Sequence, residues 1–357
     1  MEISCPKLFD TEIQVNRKIR RSMQRYLGGI LLFTGKKNCA AISRQMGLNH
    51  DALYEFFDTP YDDKVLLQAC LKNTYSKLPT DKGKWYINID ETLIEKMFSE
   101  KMEAVAPNWS SIHNDTMNGH AIIAAVITND KITIPLTFKT WYSEKTFPDR
   151  HKTRIKLAQE LMLELKSQLP GLMFLLDGGF SSEDMLSFCV TNEIRYCMRF
   201  HSNKKVVINN KEAQIRNHGL IKMSGKRKRR AVRGFYKGIG VYFVAFKRLD
   251  KKGKVKMVYL VTSEKVSPKI TIQTYKKRWK IEKFFRTAKQ HLGLRDCQAL
   301  SAAKQEAHIF AVFVIYAWLQ IQKFNRKAKN PEQILHKIRK QKSGNLLVQF
   351  ETFCDVA

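Results

Sequence analysis

The first stretch of the chain repeats apolar residues at helical spacing. Apolar positions such as Ile30, Leu31 and Leu32, and again those at 65–71, recur as on one face of a helix through roughly residue 80. Runs of β-branched residues, which favour strands, are few here. The pattern therefore predicts a helical segment over residues 1–80.

Two apolar clusters inside this segment have the spacing of a helix-turn-helix. A turn glycine, Gly47, separates Ile42 and Met46 from Leu53 and Phe56, and Asn49 is placed to cap the second helix. In such a motif the second helix reads base edges, so residues 49–56 are candidates for DNA recognition. Simple packing of two helices gives the same spacing and is the alternative.

Short strand-like segments replace the helical pattern from Lys84 onward. The predicted elements are strands at 85–90, 121–128 and 133–138, a helix at 152–169, a strand at 172–176, a helix at 182–192 and a strand at 194–200. The run at 172–176 is continuously apolar, which is typical of a strand buried on both faces. Strands alternating with helices predict an α/β fold.

Residues 201–262 differ, because glycine and charged residues rather than helices separate their strand-like runs. Strands are predicted at 206–208, 241–246 and 255–261, which indicates a β-rich insertion. Residues 226–230 are all Lys or Arg. Such a run can be a solvated loop, a phosphate-contacting arm or a nuclear address, and we favour phosphate contact.

The charge balance adds a polyanionic partner to this picture. The 357 residues include 63 Lys and Arg against 33 Asp and Glu, for a formal net charge of +30. Such an excess favours nucleic acid, although charge that serves only solubility is an alternative. The length suggests about two or three domains.

Nothing in the pattern predicts secretion or a membrane span. The 7 cysteines are scattered without a C-x2-C pair, so we expect reduced core thiols and no zinc site. The N-terminus lacks a basic segment followed by an apolar one, and the most apolar stretch, 309–319, is shorter than the roughly 20 residues of a spanning helix. These features predict a cytoplasmic protein, with a buried helix at 309–319.

Three carboxylates are candidates for chemistry. Asp90 and Asp177 each follow an apolar strand, where a sheet meets its functional rim, although a lone aspartate there is often a cap or turn residue. Glu282 shares a helical stripe, about 60° wide at 100° per residue, with three other residues. The other members of this stripe are Tyr275, Arg278 and Lys289. An adjoining arc of about 100° is apolar, so the stripe borders the core.

Carboxylates flanked by arginine, lysine and tyrosine suit metal-assisted chemistry on phosphate. Carboxylate oxygens are ligands that Mg²⁺ prefers, while guanidinium, ammonium and phenol groups bind neighbouring phosphates. Three acids can hold two ions, which can activate a water or a 3′-hydroxyl for in-line displacement at phosphorus.

The motif Y-x2-R-x3-E-x6-K, formed by Tyr275, Arg278, Glu282 and Lys289, resembles the signature of bacterial DDE transposases of the insertion sequence 4 family. Asp90-Glu91-Thr92 and Asp177-Gly178-Gly179-Phe180 precede it in order, and the similarity covers about residues 84–320. The resemblance implies a ribonuclease-H-like catalytic core within the α/β fold, with Asp90, Asp177 and Glu282 as catalytic acids. These acids would hold Mg²⁺, or Mn²⁺ as a substitute, with two ions per site, while Tyr275, Arg278 and Lys289 would bind DNA phosphates.

The expected domains follow from the pattern and the resemblance together. They are a helical candidate DNA-binding domain at 1–80, the first part of the ribonuclease-H-like core at 81–200, the β-rich insertion at 201–262, the rest of the core with the Glu282 helix at 263–325, and a basic C-terminal segment with helices at 326–357.

The sequence departs from the family's pattern in two places. Gly178 follows the second aspartate, where the family often has a basic or polar residue, which puts a phosphate contact there in doubt. Some relatives hold a flipped base with a tryptophan in the insertion, but the only Trp between Asp177 and Glu282 is Trp279. Candidates to replace it are Phe235, Tyr236, Tyr242 and Phe243. A DNA hairpin intermediate is thus left open.

The leading hypothesis is a cut-and-paste transposase that cleaves DNA at the ends of its mobile element and joins the freed 3′-hydroxyls to target DNA. Its DNA partners would be the double-stranded inverted repeats at the element ends and the target DNA. Its protein partner would be a second copy of the chain in a homodimer. It would act on the bacterial nucleoid in the cytoplasm. The alternatives are a domesticated DNA-binding relative without catalysis and a ribonuclease-H-like nuclease.

Overall fold

The computed structural model describes residues 17–49, 51–58, 84–110, 113–223, 228–250 and 252–341. The α-helices in these residues are α1 (Arg17–Leu32), α2 (Cys39–Met46), α3 (Asp51–Asp58), α4 (Arg154–Gln168), α5 (Glu183–Thr191), α6 (Pro268–Lys276), α7 (Trp279–His291), α8 (Ala302–Asn325) and α9 (Pro331–Gln341). The strands are β1 (Tyr86–Glu95), β2 (Ala106–Ser110), β3 (Asp115–Thr128), β4 (Thr133–Trp141), β5 (Met173–Leu176), β6 (Tyr196–Phe200), β7 (Lys205–Ile208), β8 (Lys211–Gln214), β9 (Arg229–Tyr236), β10 (Ile239–Leu249) and β11 (Val255–Thr262). The predicted helical positions at 65–71, the basic residues 226 and 227, and the segment 342–357 lie outside the described residues.

The described strands form one mixed sheet with β1 near its centre. The spatial order is β2-β3-β1-β5-β6-β11-β10-β9-β7-β8, and β4 pairs with another part of β3. β1 is antiparallel to β3 and parallel to β5, which is parallel to β6. This mixed α/β arrangement is consistent with the expected ribonuclease-H-like core. The strands predicted as an insertion extend the same sheet through the pairing of β11 with β6, and the insertion's boundaries stay a prediction.

Both faces of the central strands are covered, which explains their near-continuous apolar sequences. On one face, Ile122 and Val126 of β3 pack in a core with helices α1–α3 and α7–α9. On the other face, Ile123 and Ile127 pack in a core with α4 and α5. The alternation of side chains along β3 thus divides the protein into two helical layers around one sheet.

The N-terminal helices share their core with the C-terminal ones. Tyr26 of α1 and Phe56 of α3 are fully buried in the same apolar cluster as Phe284 of α7 and Phe310 of α8. The domain boundary near residue 80 stays a prediction, but the described part of the N-terminal segment is packed as an integral layer of the protein.

The turn between α2 and α3 has the predicted helix-turn-helix features. Gly47 ends α2 in the left-handed region at φ 64°, and the Asn49 side chain accepts a hydrogen bond from the Asp51 backbone amide at 3.2 Å. The exposed positions of α3 include Asp51, Glu55 and Asp58. Acidic side chains on that surface repel phosphates, so they favour the packing interpretation, and base recognition by α3 stays a prediction.

The buried helix predicted at 309–319 is part of the longer α8. By length and composition α8 could cross a membrane, so the prediction was wrong to exclude a span by length. The helix is the core helix of this fold, because 78% of its most apolar window is buried inside the protein.

The four cysteines in the described residues are buried free thiols, as predicted. They are Cys39, Cys189, Cys197 and Cys297. Burial raises the pKa of each, to about 12 for Cys39 and Cys189, so they persist as uncharged core residues. Cys5, Cys70 and Cys354 lie outside the described residues.

A buried histidine joins three parts of the chain. His308 Nδ1 in α8 lies 2.7 Å from the Tyr26 hydroxyl in α1, and Nε2 lies 2.8 Å from the Gly293 carbonyl after α7. The Nε2–H group donates to the Gly293 carbonyl, and the Tyr26 hydroxyl, which also lies 3.2 Å from the Lys37 carbonyl, can donate to Nδ1 of the neutral ring. Burial lowers the pKa of His308 from 6.5 to about 4.

We expect this histidine to make the fold acid-sensitive. Because the folded pKa lies below the unfolded one, the unfolded chain takes up a proton first as pH falls through 6.5. The unfolding free energy should therefore fall by up to about 1.4 kcal/mol per pH unit between pH 6 and 4.5 from this residue. Urea denaturation across this range should show a shallower decline of the unfolding free energy for His308→Gln than for the wild type. Some decline should remain in the variant, because the pKa of His120 is also lowered to about 4. Parallel curves would contradict the assignment.

Candidate active site

Asp90 lies in the middle of β1, although the sequence predicts a strand that ends there. β1 continues to Glu95 because it keeps pairing with β3. What ends at this point is the pairing with β5, whose last register pair is Ile89 with Leu176. Asp90 and Asp177 are therefore the next residues on two adjacent parallel strands, at the point where the strands separate.

The predicted signature helix is divided into two helices. α6 ends at Lys276 and α7 begins at Trp279, and the amides of Lys277 and Arg278 bond three residues back, to Thr274 and Tyr275. The expectation of one straight stripe was therefore wrong. A tighter turn inserted between Tyr275 and the rest of the motif changes the side-chain directions.

Asn88 fixes this junction to the central strand. Its Nδ2 donates to the Lys277 carbonyl at 3.0 Å, while its Oδ1 is buried without a hydrogen-bond partner among the described residues. Sequence analysis did not single out Asn88. The signal was its position two residues before Asp90, which places both side chains on one face of β1.

Arg278 brings the three candidate acids together. Its guanidinium lies 2.8 Å from Asp90 Oδ2 and 3.8 Å from Asp177 Oδ1, and it also contacts the Glu282 carboxylate one helical turn later. The Arg278 side chain is only 11% exposed, whereas those of Asp177 and Glu282 are 42% and 32% exposed. The acids thus form a cluster that opens to solvent on one side and is bridged by a buried cation on the other.

The cluster strongly perturbs Asp90. Burial raises its pKa to about 7, and the charges of Asp177 and Glu282 act in the same direction. Arg278 and the Glu91 backbone amide, which donates to Asp90 Oδ1 at 2.9 Å, oppose this shift. Three carboxylates share one guanidinium, so the site has an excess of negative charge.

Tyr275 and Lys289 occupy opposite ends of the motif. The Tyr275 hydroxyl donates to Asp177 Oδ1 at 3.4 Å, so it belongs to the acid cluster. Lys289 is seven residues beyond Glu282, about 10 Å along a helix. It lies near Glu95 and Arg295, and burial, followed by the Arg295 charge, lowers its pKa to about 8.

The donor set suits hard divalent cations. Carboxylate oxygens with an uncompensated negative charge are the ligands that Mg²⁺ and Mn²⁺ prefer. In the described residues no three acidic, histidine or cysteine side chains are close enough to share one ion, and the Arg278 guanidinium lies between the acids. The residues fit a metal by their chemistry, provided that Arg278 gives up part of its contact with them.

Residues 137–318, just over half of the chain, match the family of the transposase DDE domain. The chain belongs to this family. The matched range includes Asp177 and Glu282 and starts after Asp90. A search of curated proteins gave no match. Membership supports a general transposase function, with DNA as partner, and such transposases generally use divalent metals.

We expect that removing one acid stabilises the metal-free protein. Asp90→Asn keeps the side-chain shape but removes a desolvated charge that Asp177 and Glu282 repel. At pH 8 in EDTA, the unfolding free energy should rise by about 1–2 kcal/mol, as is usual when charge crowding at a functional site is relieved. Glu264→Gln is the control, since it removes the surface ion pair with Arg195 and should cost at most about 1 kcal/mol. A clear loss of stability in Asp90→Asn would mean that attraction to Arg278 outweighs burial and repulsion.

Proposed function

We propose that this protein is a cut-and-paste transposase of the insertion sequence 4 type. In this proposal it cleaves DNA at the ends of its mobile element and transfers the freed 3′-hydroxyl ends to target DNA. The observation that supports it best is the convergence of Asp90, Asp177 and Glu282, from β1, the end of β5 and α7, on the single cation Arg278. A purely structural ion pair needs one acid, whereas three acids around one cation leave an excess of negative charge that suits cation binding.

Asp90, Asp177 and Glu282 would hold two Mg²⁺ or Mn²⁺ ions. The bound metal supplies activation of the attacking oxygen and stabilisation of the leaving oxygen. Asp90 lies deepest and is fixed by the Glu91 amide, so it orients the site, while the more exposed Asp177 and Glu282 face the incoming DNA.

Arg278 and Tyr275 would contact a phosphate next to the one that reacts. Both groups now bond to the acids, Arg278 by ion pairs and Tyr275 through its hydroxyl. When the acids are neutralised, these donors can turn to phosphate oxygens, for which a guanidinium is a strong bidentate partner. The same two residues thus hold the acids before DNA binds and position DNA afterwards.

Lys289 would extend the phosphate path along α7. It lies beyond the acids, beside Arg295 and Glu95, so it can contact a phosphate further along the same strand of DNA. A pKa of about 8 leaves it mainly charged at pH 7.

The extended part of the sheet offers further contacts. Phe235 on β9 is 45% exposed, whereas Phe243 on β10 is fully buried and is therefore excluded as a partner for a flipped base. Exposed Arg229 and Arg233 share with Phe235 one face of β9. We propose that this face of β9 contacts DNA. The proposed mechanism is compatible with cleavage through a hairpin intermediate and with cleavage without one.

The assembly would be a homodimer on DNA in the bacterial cytoplasm, because strand exchange between two ends needs two active sites held together. A domesticated DNA-binding relative and a ribonuclease-H-like nuclease are the competing functions. The complete acid cluster argues against a domesticated relative without catalysis. The neighbouring Tyr275, Arg278 and Lys289 argue against a ribonuclease-H-like nuclease.

The decisive test is metal-dependent nicking. We expect the protein to nick duplex DNA from the flanks of its gene in Mg²⁺ or Mn²⁺ and not in EDTA, because acids alone cannot neutralise the pentacovalent phosphate. Asp90→Asn, Asp177→Asn and Glu282→Gln should bind this DNA but fail to nick it. Glu91→Gln is the matched control, since Glu91 adjoins Asp90 on the chain but pairs with Arg154 at 3.0 Å. Nicking in EDTA, or by Asp177→Asn, would contradict the proposed site.

A second test separates the roles of Lys289 and Glu282. At pH 7, Lys289→Ala should weaken DNA binding and reduce the slope of log affinity against log salt by up to about one unit, as for one lost phosphate contact. Glu282→Gln should leave the slope unchanged and stop nicking. The control is Lys156→Ala, an exposed lysine on α4, which covers the opposite face of the sheet. Equal slopes for Lys289→Ala and wild type would remove Lys289 from the DNA path.

A further inference from the structure

We propose that His201 is a phosphate-contacting residue of the active site, which occupies the space beside Asp177 that a side chain at position 178 would fill. This inference rests on the proposed function and adds a residue to the same site. It assigns the DNA contact on the β6 side of the acids, opposite the side that α7 covers.

The space around Gly178 is taken by the His201 imidazole. A Cβ atom on Gly178 would lie 3.1 Å from His201 Nε2 and 3.3 Å from Cε1. At Gly179, the next residue, a Cβ atom would meet nothing within 4 Å. Gly178 is not among the glycines with positive φ, so its backbone does not require glycine. The feature that distinguishes position 178 is therefore its close neighbour, His201.

The His201 side chain is available for a ligand. The residue is exposed, directly after β6, and its ring makes no hydrogen bond or ion pair to any other residue in the described ranges. Because the imidazole is exposed, a bound group can replace water as its hydrogen-bond partner. The Nε2 atom lies beside Gly178, the residue that follows Asp177, and has no protein partner in those ranges.

Arg199 reinforces this edge of the site. It precedes His201 by two residues, so it starts on the same face of the strand, and it is also exposed. The β5–β6 register pairs Leu176 with Met198, which places Arg199 beside Asp177. Arg199 is also close enough to Tyr275 to oppose the effect of burial, which raises the pKa of the phenol.

The charge distribution explains why such an edge is needed. The acids are in excess over Arg278, so an approaching phosphate needs positive or donor groups on more than one side. β1, β5 and β6 are neighbours in the sheet, about 4.8 Å apart from strand to strand. A phosphate lying over Asp177 is then within reach of Arg278 and Tyr275 and, at the β6 edge, of His201 and Arg199.

The test measures binding of labelled duplex DNA from the flanks of the gene in EDTA, and nicking in Mg²⁺. We expect His201→Ala to weaken binding about tenfold, which is the size expected for losing a hydrogen bond to a charged group. His201→Gln keeps an N–H donor and should recover most of the affinity. His336→Ala is the control, because His336 is an exposed histidine on α9. All three variants should melt at the wild-type temperature.

A relocation variant makes the test independent of simple deletion. Gly178→Lys combined with His201→Ala should regain binding, because the lysine enters the space that the imidazole leaves and offers a cation to the same phosphate. Binding by His201→Ala within twofold of wild type would overturn the proposal, and so would a lowered melting temperature with normal binding of the folded protein. If the wild type itself neither bound nor nicked the DNA, the proposed function would fail instead, so the two failures are distinguishable.

Discussion

The structure depends on how one buried guanidinium compensates three carboxylates. Arg278 is nearly inaccessible to solvent and contacts Asp90, Asp177 and Glu282, which come from three separate segments. Charges removed from water must be paired, and one cation cannot fully pair three anions. Burial, reinforced by the neighbouring charges of Asp177 and Glu282, raises the pKa of Asp90 to about 7. This excess of negative charge is the feature on which the proposed metal binding rests.

The packing of the sheet and helices fixes the positions of the acids and of Arg278. β1 is covered on both faces and pairs with strands on both sides, so Asp90 has little freedom to move away from its neighbours. Asn88, two residues earlier, bonds to the turn that carries Arg278. The strand that supplies the deepest acid therefore also fixes the cation, and α7 then runs along the sheet with Glu282 one turn further. The arrangement keeps like charges close because packing elsewhere stabilises the fold.

The proximity of Asp90, Asp177 and Glu282 could be expected from the sequence, whereas much of their surroundings could not. Asp90 and Asp177 could be predicted because apolar runs mark parallel strands whose ends come together, and Glu282 because of its motif. The break between α6 and α7 could not be predicted, since Lys277 and Arg278 keep helical backbone angles and nothing in their residue types marks a turn. The separation of Lys289 from the acids follows from the helix length. The neighbourhood of Gly178 and His201 depends on the β5–β6 register, which local patterns do not encode.

The net charge and the acid cluster act on DNA over different distances. A formal charge of +30 attracts a polyanion from afar, but salt screens this attraction beyond about 10 Å and it carries no positional information. Within the acid cluster the electrostatic force on a phosphate is repulsive, because the carboxylates carry the same sign of charge as the phosphate. In the proposed function, the reacting phosphate would therefore be positioned by local donors that border the acids, and donors on both sides of Asp177 would hold a flexible strand in line. Donors on α7 alone would leave the side of the cluster next to β6 without any attraction for the strand.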